Sequence, residues 1–139
     1  MPSATSAPLW ALTAAVAVGG ALGAVARYGL DLAWHPSETG LSWTVLAINV
    51  TGSLLIGVLV EAVAHRTPWN PWARPFLGAG FLGGYTTFSA YAMDVVTALE
   101  RGAPEAALAY LSLTLGGAIV AAWAASALTH RVLEGGRVP

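Results

Sequence analysis

Charged residues punctuate this chain instead of covering it, and the uncharged intervals between them can be measured against the roughly 20 residues that cross a bilayer as a helix. Four intervals are long enough. The pattern predicts spans over about 9–30, 41–62, 75–99 and 105–129 within a single domain, 1–139, so the fold class expected is an all-α membrane protein. The first interval starts after Met1 to Pro8, which carry no basic residue, and lacks a short apolar core with a cleavage site; it reads as a retained helix rather than a secretory signal. The second lies between Glu38 and Glu61 and contains Thr44, Asn49 and Thr51 among few polar residues. The fourth opens on Pro104 and Glu105, which suit the first turn of a helix.

The third interval has the length of a span but not the pattern of one smooth helix. It carries Gly78, Gly80, Gly83 and Gly84, then the polar pair Thr86 and Thr87. An irregular backbone in lipid persists only where protein buries it or where it lines a cavity, because unpaired amides there cost several kcal/mol. Glycines followed by threonines at mid-span are therefore the ingredients of a broken helix, whose freed carbonyls can meet a cation and whose second half presents N–H groups to an anion.

Composition narrows the function. With 56% hydrophobic and 9% charged residues, and a mean hydropathy of +0.65, too little charge is present to coat a soluble surface. The basic residues are six arginines without a lysine, so no patch exists to neutralise a run of phosphates, and nucleic acid is excluded as a partner. Absence of cysteine removes thiolate metal sites and thiol nucleophiles. His35, His65 and His130 show no ligand spacing, so no transition-metal site is expected, and no nucleophile with a base is found, so an enzyme is not expected. The connections are short. With an even number of spans both termini share one side with Arg66, Arg74, Arg131 and Arg137, against Arg27 and Arg101 on the other; so slight a bias allows insertion in both orientations. Gly19 with Gly23, and Gly80 with Gly84, stand at the spacing that lets helix backbones approach closely. Four helices leave little room for a water-filled path, so a transport protein of this size is expected to be an oligomer.

Three motifs make the chain resemble one family. The segment from Gly80 to Tyr91, GFLGGYTTFSAY, resembles the signature of the fluoride channel family known as Fluc or CrcB, approximately G-F-x-G-G-x-T-T-F-S-T-F. Gly23 to Tyr28, GAVARY, is similar to that family's G-A-x-x-R-Y at the end of the first span, and Asn49 to Ser53, NVTGS, to its N-x-x-G-S/T in the second. The resemblance implies an antiparallel, dual-topology homodimer of four-span subunits with a broken third helix, in the cell membrane (inner or plasma). It implies passive, fluoride-selective conduction that exports fluoride and lowers its cytoplasmic concentration. It also implies a structural sodium ion at the dimer interface, held by main-chain carbonyls that map to Gly83 and Thr86 of each subunit; hard cations prefer such oxygens.

The fluoride pathway implied runs past Asn49, Thr87, Phe88, Tyr91, Tyr110 and Thr114, with Arg27 in an aqueous vestibule. Fluoride is small and strongly hydrated, so donors must replace its water while binding weakly enough to release it. Asn49 offers an amide NH2, and phenyl edges carry partial positive charge without the trap of a fixed cation. Each residue also has a structural alternative: an interhelical hydrogen bond for Asn49, core packing for Phe88 and Tyr91, a bond to its own backbone for Thr114, and snorkelling to headgroups for Arg27. Tyr91 stands where the family pattern has phenylalanine, which adds a hydroxyl to be satisfied; Ala90 replaces a threonine, and Ala118 stands where the family can have a serine. Two rival functions remain, a non-conducting membrane scaffold or assembly subunit and a small multidrug-type proton-coupled transporter. The second needs an acidic residue deep in the first span, and Ala11 to Ala26 has none.

Overall fold

A computed structural model describes residues 8–34, 41–65 and 71–135; His35, Arg66 and Arg137 lie outside them. The described residues are helical, with no strand among them. α1 (Leu9–Ala33) begins after Pro8 and stops where Trp34 turns extended. α2 (Trp43–His65) is started by Ser42, whose Oγ accepts the Val45 amide at 3.1 Å and so satisfies one of the orphan donors of a helix start. α5 (Pro104–Gly135) follows a reversal at Gly102, the one positive-φ residue described (φ 72°), with the Ala103 amide donating back to the Ala98 carbonyl at 3.0 Å. That bond and the left-handed glycine together close the preceding helix.

Between α2 and α5 the chain changes winding. Arg74–Leu82 is a nine-residue π-helical stretch, Gly83–Tyr85 (α3) a single α-turn, and Phe88–Glu100 (α4) a helix of 13 residues. π-Helical hydrogen bonding is rare, is found mostly as single turns, and is frequent at functional sites. Here the Gly83 amide donates to the Gly78 carbonyl, five residues back.

α1, α2 and α5, of 25, 23 and 32 residues, are the helices long and apolar enough to cross a membrane. Their outward faces are apolar: Trp10, Val25, Leu54, Ile119 and Trp123 are all exposed, and α1 buries only Gly19 and Gly23. Such a surface has lipid as its solvent, and the chain is a multi-pass membrane protein.

α1 lies along the π-helical stretch and α3, while α2 lies along α5. The first interface exists because both sides lack side chains. A Cβ built on Gly23 would overlap the Phe81 carbonyl, one on Gly84 the Gly20 carbonyl, and one on Gly80 would come within 2.8 Å of the Val16 carbonyl. The two glycine pairs noted in the sequence thus face each other across one backbone-to-backbone contact. In the second interface Gly57 does the same against the backbone of Ala122. α4 closes on α5 through Ala98, Ala107 and Tyr110, with Leu41 packed against them.

Candidate functional site

The helical run stops at Thr86 (φ −76°, ψ 157°) and Thr87 (φ −145°, ψ 120°), both extended, before α4 starts at Phe88. Two extended residues between helices leave amide groups that need partners. Asn49, on α2, supplies them: its Nδ2 donates to the Thr87 carbonyl at 3.0 Å and its Oδ1 accepts the Thr87 amide at 3.0 Å. The side-chain amide thereby pairs with the main chain as another strand would. Thr87 caps α4, its Oγ1 accepting the Ala90 amide at 3.2 Å, and Thr86 turns its hydroxyl back to the Leu82 carbonyl at 2.9 Å.

These bonds leave two carbonyls without their helical partners. In a continuous helix the Gly83 carbonyl would accept from the Thr87 amide, which Asn49 holds instead; the Thr86 carbonyl would accept from the Ala90 amide, which the Thr87 hydroxyl holds. Gly83 is exposed on the single subunit. Neutral main-chain oxygens released in this way match the donor set that a hard monovalent cation takes, so the residues present fit the cation that the sequence resemblance implies.

Beside the break lies a cavity of about 260 Å³, bordered by Asn49, Thr87, Phe88, Tyr91 and Thr114, with Ser53 and Ala118 completing its polar and small sides and no charged side chain in its lining. One amide N–H of Asn49 remains after the bond to Thr87. Thr114 is 4% exposed, and its Oγ1 is the one buried side-chain polar atom among the described residues with no hydrogen-bond partner. Thr13, Thr51 and Thr86 all donate to the carbonyl four residues back, at 2.7 to 3.0 Å. Thr114 does not, which leaves a hydroxyl inside a bundle at a cost of about 1–3 kcal/mol.

Phe88 and Tyr91 share a face of α4 with ring centroids 5.7 Å apart, and Phe88 is 80% exposed on the single subunit. The Tyr91 hydroxyl is satisfied by the Leu111 carbonyl at 3.4 Å. Tyr110 stands one ring further back, with its centroid 5.9 Å from that of Tyr91. It is 2% exposed, outside the cavity lining, and its hydroxyl lies 2.8 Å from the Ser42 carbonyl and 2.9 Å from Asp94 Oδ2. Asp94 also accepts the Ser42 amide at 3.3 Å, so one carboxylate ties the start of α2 to α4 and α5. Arg27 reaches across from α1 to the carbonyl of Gly84 at 3.4 Å, one residue past Gly83.

Ser53, which borders the cavity, and Asp94, which accepts from Ser42 and Tyr110, were not singled out as site residues by the sequence. Ser53 lies within the NVTGS motif, a signal that could have found it; Asp94 looks from sequence like an ordinary carboxylate near the end of a span. The structure also joins two of the histidines that show no ligand spacing. His65 and His130 lie edge to face with ring centroids 4.9 Å apart, around Glu61. Sequence spacing was blind to this because the two lie on different helices.

Comparison with known proteins follows the same lines. The family described as CrcB-like protein, Camphor Resistance (CrcB), matches residues 14–126. A protein of Streptomyces avermitilis named fluoride-specific ion channel FluC 2 is 43% identical over 104 residues, 75% of this chain and 66% of its own length. One of the same name from Thermobifida fusca is 44% identical over 125 residues, covering 90% of this chain and 93% of the relative. The fluoride-specific ion channel FluC of Rhizobium meliloti is 44% identical over 120 residues, or 85% of this chain and 95% of that one. A match that takes in α1, α2, the break and most of α5 makes this chain a member of the CrcB family.

Proposed function

We propose that the protein is a passive, fluoride-selective channel that lets fluoride leave the cell, and that it works as an antiparallel homodimer. The observation that carries this reading is the cavity beside the break: it is bordered by neutral donors and phenyl edges, and the buried Thr114 hydroxyl in it has no protein partner. A small hydrated anion that gives up water needs such donors, and it needs them without a fixed cation that would hold it. The spare N–H of Asn49, the Thr114 hydroxyl and the edges of Phe88 and Tyr91 are the groups offered, with Thr87 holding the start of α4 in place. Tyr110 acts from behind, bracing Tyr91. Arg27 draws anions toward the vestibule while its Nε steadies the Gly84 carbonyl.

In this reading the π-helical stretch, α3 and α4 together form a fourth, broken span, since α4 alone reaches only about 20 Å of a core about 30 Å thick. A second copy supplies what one subunit lacks. Phe88 and Gly83 are exposed on the single chain, and two carbonyls per subunit under-coordinate a hard cation. A two-fold axis beside the break doubles the oxygens and covers the aromatic face. Gly83 and Thr86 would hold a sodium ion there through their main-chain oxygens; when bound, it would tie the two subunits together at their breaks. Neutral hydrofluoric acid crosses lipid more easily than fluoride, so the anion accumulates inside when the exterior is acidic, and a passive path releases it without an energy source.

The test is efflux from liposomes loaded with potassium fluoride and opened with a potassium ionophore, beside chloride-loaded vesicles, with Asn49→Ala and Phe88→Ala variants that keep the dimer's elution volume. Rapid fluoride loss without chloride loss, reduced in both variants, is expected. Equal leakage of the two anions, or no flux from a folded dimer, would overturn the reading.

A further inference from the structure

Some distance along the bundle from the break, the last turns of α2 and α5 gather groups that are far apart in the sequence. Glu61 and His65 are one turn apart on α2, while Ser126, His130 and Glu134 follow one another at one-turn spacing on α5. His130 Nδ1 lies 2.6 Å from Glu61 Oε1, and His65 Nδ1 lies 3.3 Å from the same oxygen. One ligand atom from each of the three falls within 4.8 Å of the others. We propose that Glu61, His65 and His130 form a binding site for a divalent transition metal, zinc being the representative ion, which ties the end of α2 to α5.

Zinc takes imidazole nitrogen and carboxylate oxygen at about 2.0–2.2 Å, which places tetrahedral ligand atoms about 3.3–3.5 Å apart. The His65 nitrogen already stands at that separation from Glu61, at 3.3 Å; the His130 nitrogen, at 2.6 Å, would move outward, and all three atoms lie within 4.8 Å of one another, so side-chain adjustments on the scale of an ångström complete the site. Two imidazoles and one carboxylate are a zinc ligand set that keeps a fourth position for water. A cavity of about 290 Å³ lined by Glu61, Trp123, Ser126, His130 and Arg131 gives that water room.

The surrounding shell is what separates this cluster from a plain ion pair. Metal-bound histidines almost always donate their other ring N–H to a carboxylate, and bound carboxylates are themselves hydrogen-bonded. His130 Nε2 lies 3.0 Å from Glu134 Oε2, and Ser126 Oγ donates to Glu61 Oε2 at 3.0 Å. Both supports lie on α5: Ser126 draws Glu61 across from α2, and Glu134 holds the His130 ring on its own helix. A carboxylate only accepts, so an Nδ1 bonded to Glu61 holds the hydrogen of that bond, and a metal taking its lone pair would send that hydrogen to Nε2 or, where Nε2 already donates, to solvent. The site opens past His130, whose side chain is 46% exposed, against 17% for His65 and 16% for Glu61.

The experiment titrates zinc chloride alone into the full-length protein in detergent after chelator treatment, by calorimetry in two buffers of different ionisation heat, with cobalt substitution read in visible absorption. Expected are one zinc per subunit, proton release on binding, and a tetrahedral cobalt spectrum. Affinity should fall about 100-fold or more in Glu61→Gln, His65→Ala and His130→Ala and about tenfold in Glu134→Gln, and stay unchanged in His35→Ala. Glu134 is exposed, so that variant reports on the site even if a ligand variant fails to fold. Absence of stoichiometric binding to the folded protein at micromolar zinc would overturn the proposal. So would an affinity that survives loss of His65 and of His130.

Discussion

α2 is held to its neighbours by two polar residues that use opposite chemistry. Asn49 binds the extended turn at Thr87 with a neutral amide, one donor and one acceptor matched to one acceptor and one donor. Glu61, twelve residues and so about 18 Å further along the helix, binds α5 with a carboxylate shared between histidine and serine. Depth explains the difference. A neutral amide at mid-span costs little once its hydrogen bonds are made, whereas a charge at the bilayer centre costs at least about 2.5–3.5 kcal/mol. Near the end of a span water and headgroups relieve that cost. The same helix therefore carries a neutral amide at mid-span, bonded to the Thr87 main chain, and its ionic cluster where an ion pair can be solvated.

The largest effect should come from breaking the contact that lets α1 support the break. Gly23→Ala places a methyl group against the Phe81 carbonyl and forces two backbones apart, while Gly29→Ala on the same helix meets nothing within 4 Å. Chemical unfolding in detergent should lose about 3 kcal/mol for the first and change by less than about 1 kcal/mol for the second. Equal effects would show that α1 does not hold the third segment through its glycines.

Next in size are the two anchors of α2 themselves. Asn49→Ala removes two hydrogen bonds at the break and should cost about 2 kcal/mol together with fluoride efflux. Glu61→Gln should cost about 1 kcal/mol and leave efflux unchanged in the same liposomes. If Glu61→Gln abolishes efflux in a folded protein, the division of labour between middle and end is wrong.

Thr114→Val sharpens the comparison at the smallest scale. It keeps the shape and removes a buried hydroxyl that has no protein partner, so unfolding should gain about 1 kcal/mol while fluoride efflux falls about tenfold. A residue that gains stability and loses flux serves an ion; one that loses both serves packing.

Much of this was legible along the chain. Three of the spans needed only their lack of charge and their length, and the glycine pairs at positions 19, 23, 80 and 84 announced a close backbone approach before any partner was known. The partner was not announced. Nothing in the spacing says that the two pairs face each other, or that Asn49 meets the main chain of Thr87 across 38 residues of sequence. The interhelical hydrogen bond weighed against a pore role for Asn49 is present, and one N–H remains after it is made. Tyr110 illustrates the limit: its spacing from Thr114 put both on one helix face, yet Thr114 borders the cavity while the Tyr110 hydroxyl turns to Ser42 and Asp94.

The sequence by itself determined that the chain lives in lipid, that it is helical, and where a smooth helix is unfavourable, because these depend on local composition, on length against a bilayer, and on amides that must be paired within the chain. Only the tertiary structure decided which groups pair. Asn49 takes the Thr87 main chain, the carbonyls of Gly83 and Thr86 lose their helical partners in consequence, Thr114 keeps a free hydroxyl, and Glu61 draws together two histidines 65 residues apart. Each of these outcomes depends on which helix lies against which. That choice is made by backbone contact at glycines and by the few polar atoms that find no partner on their own helix.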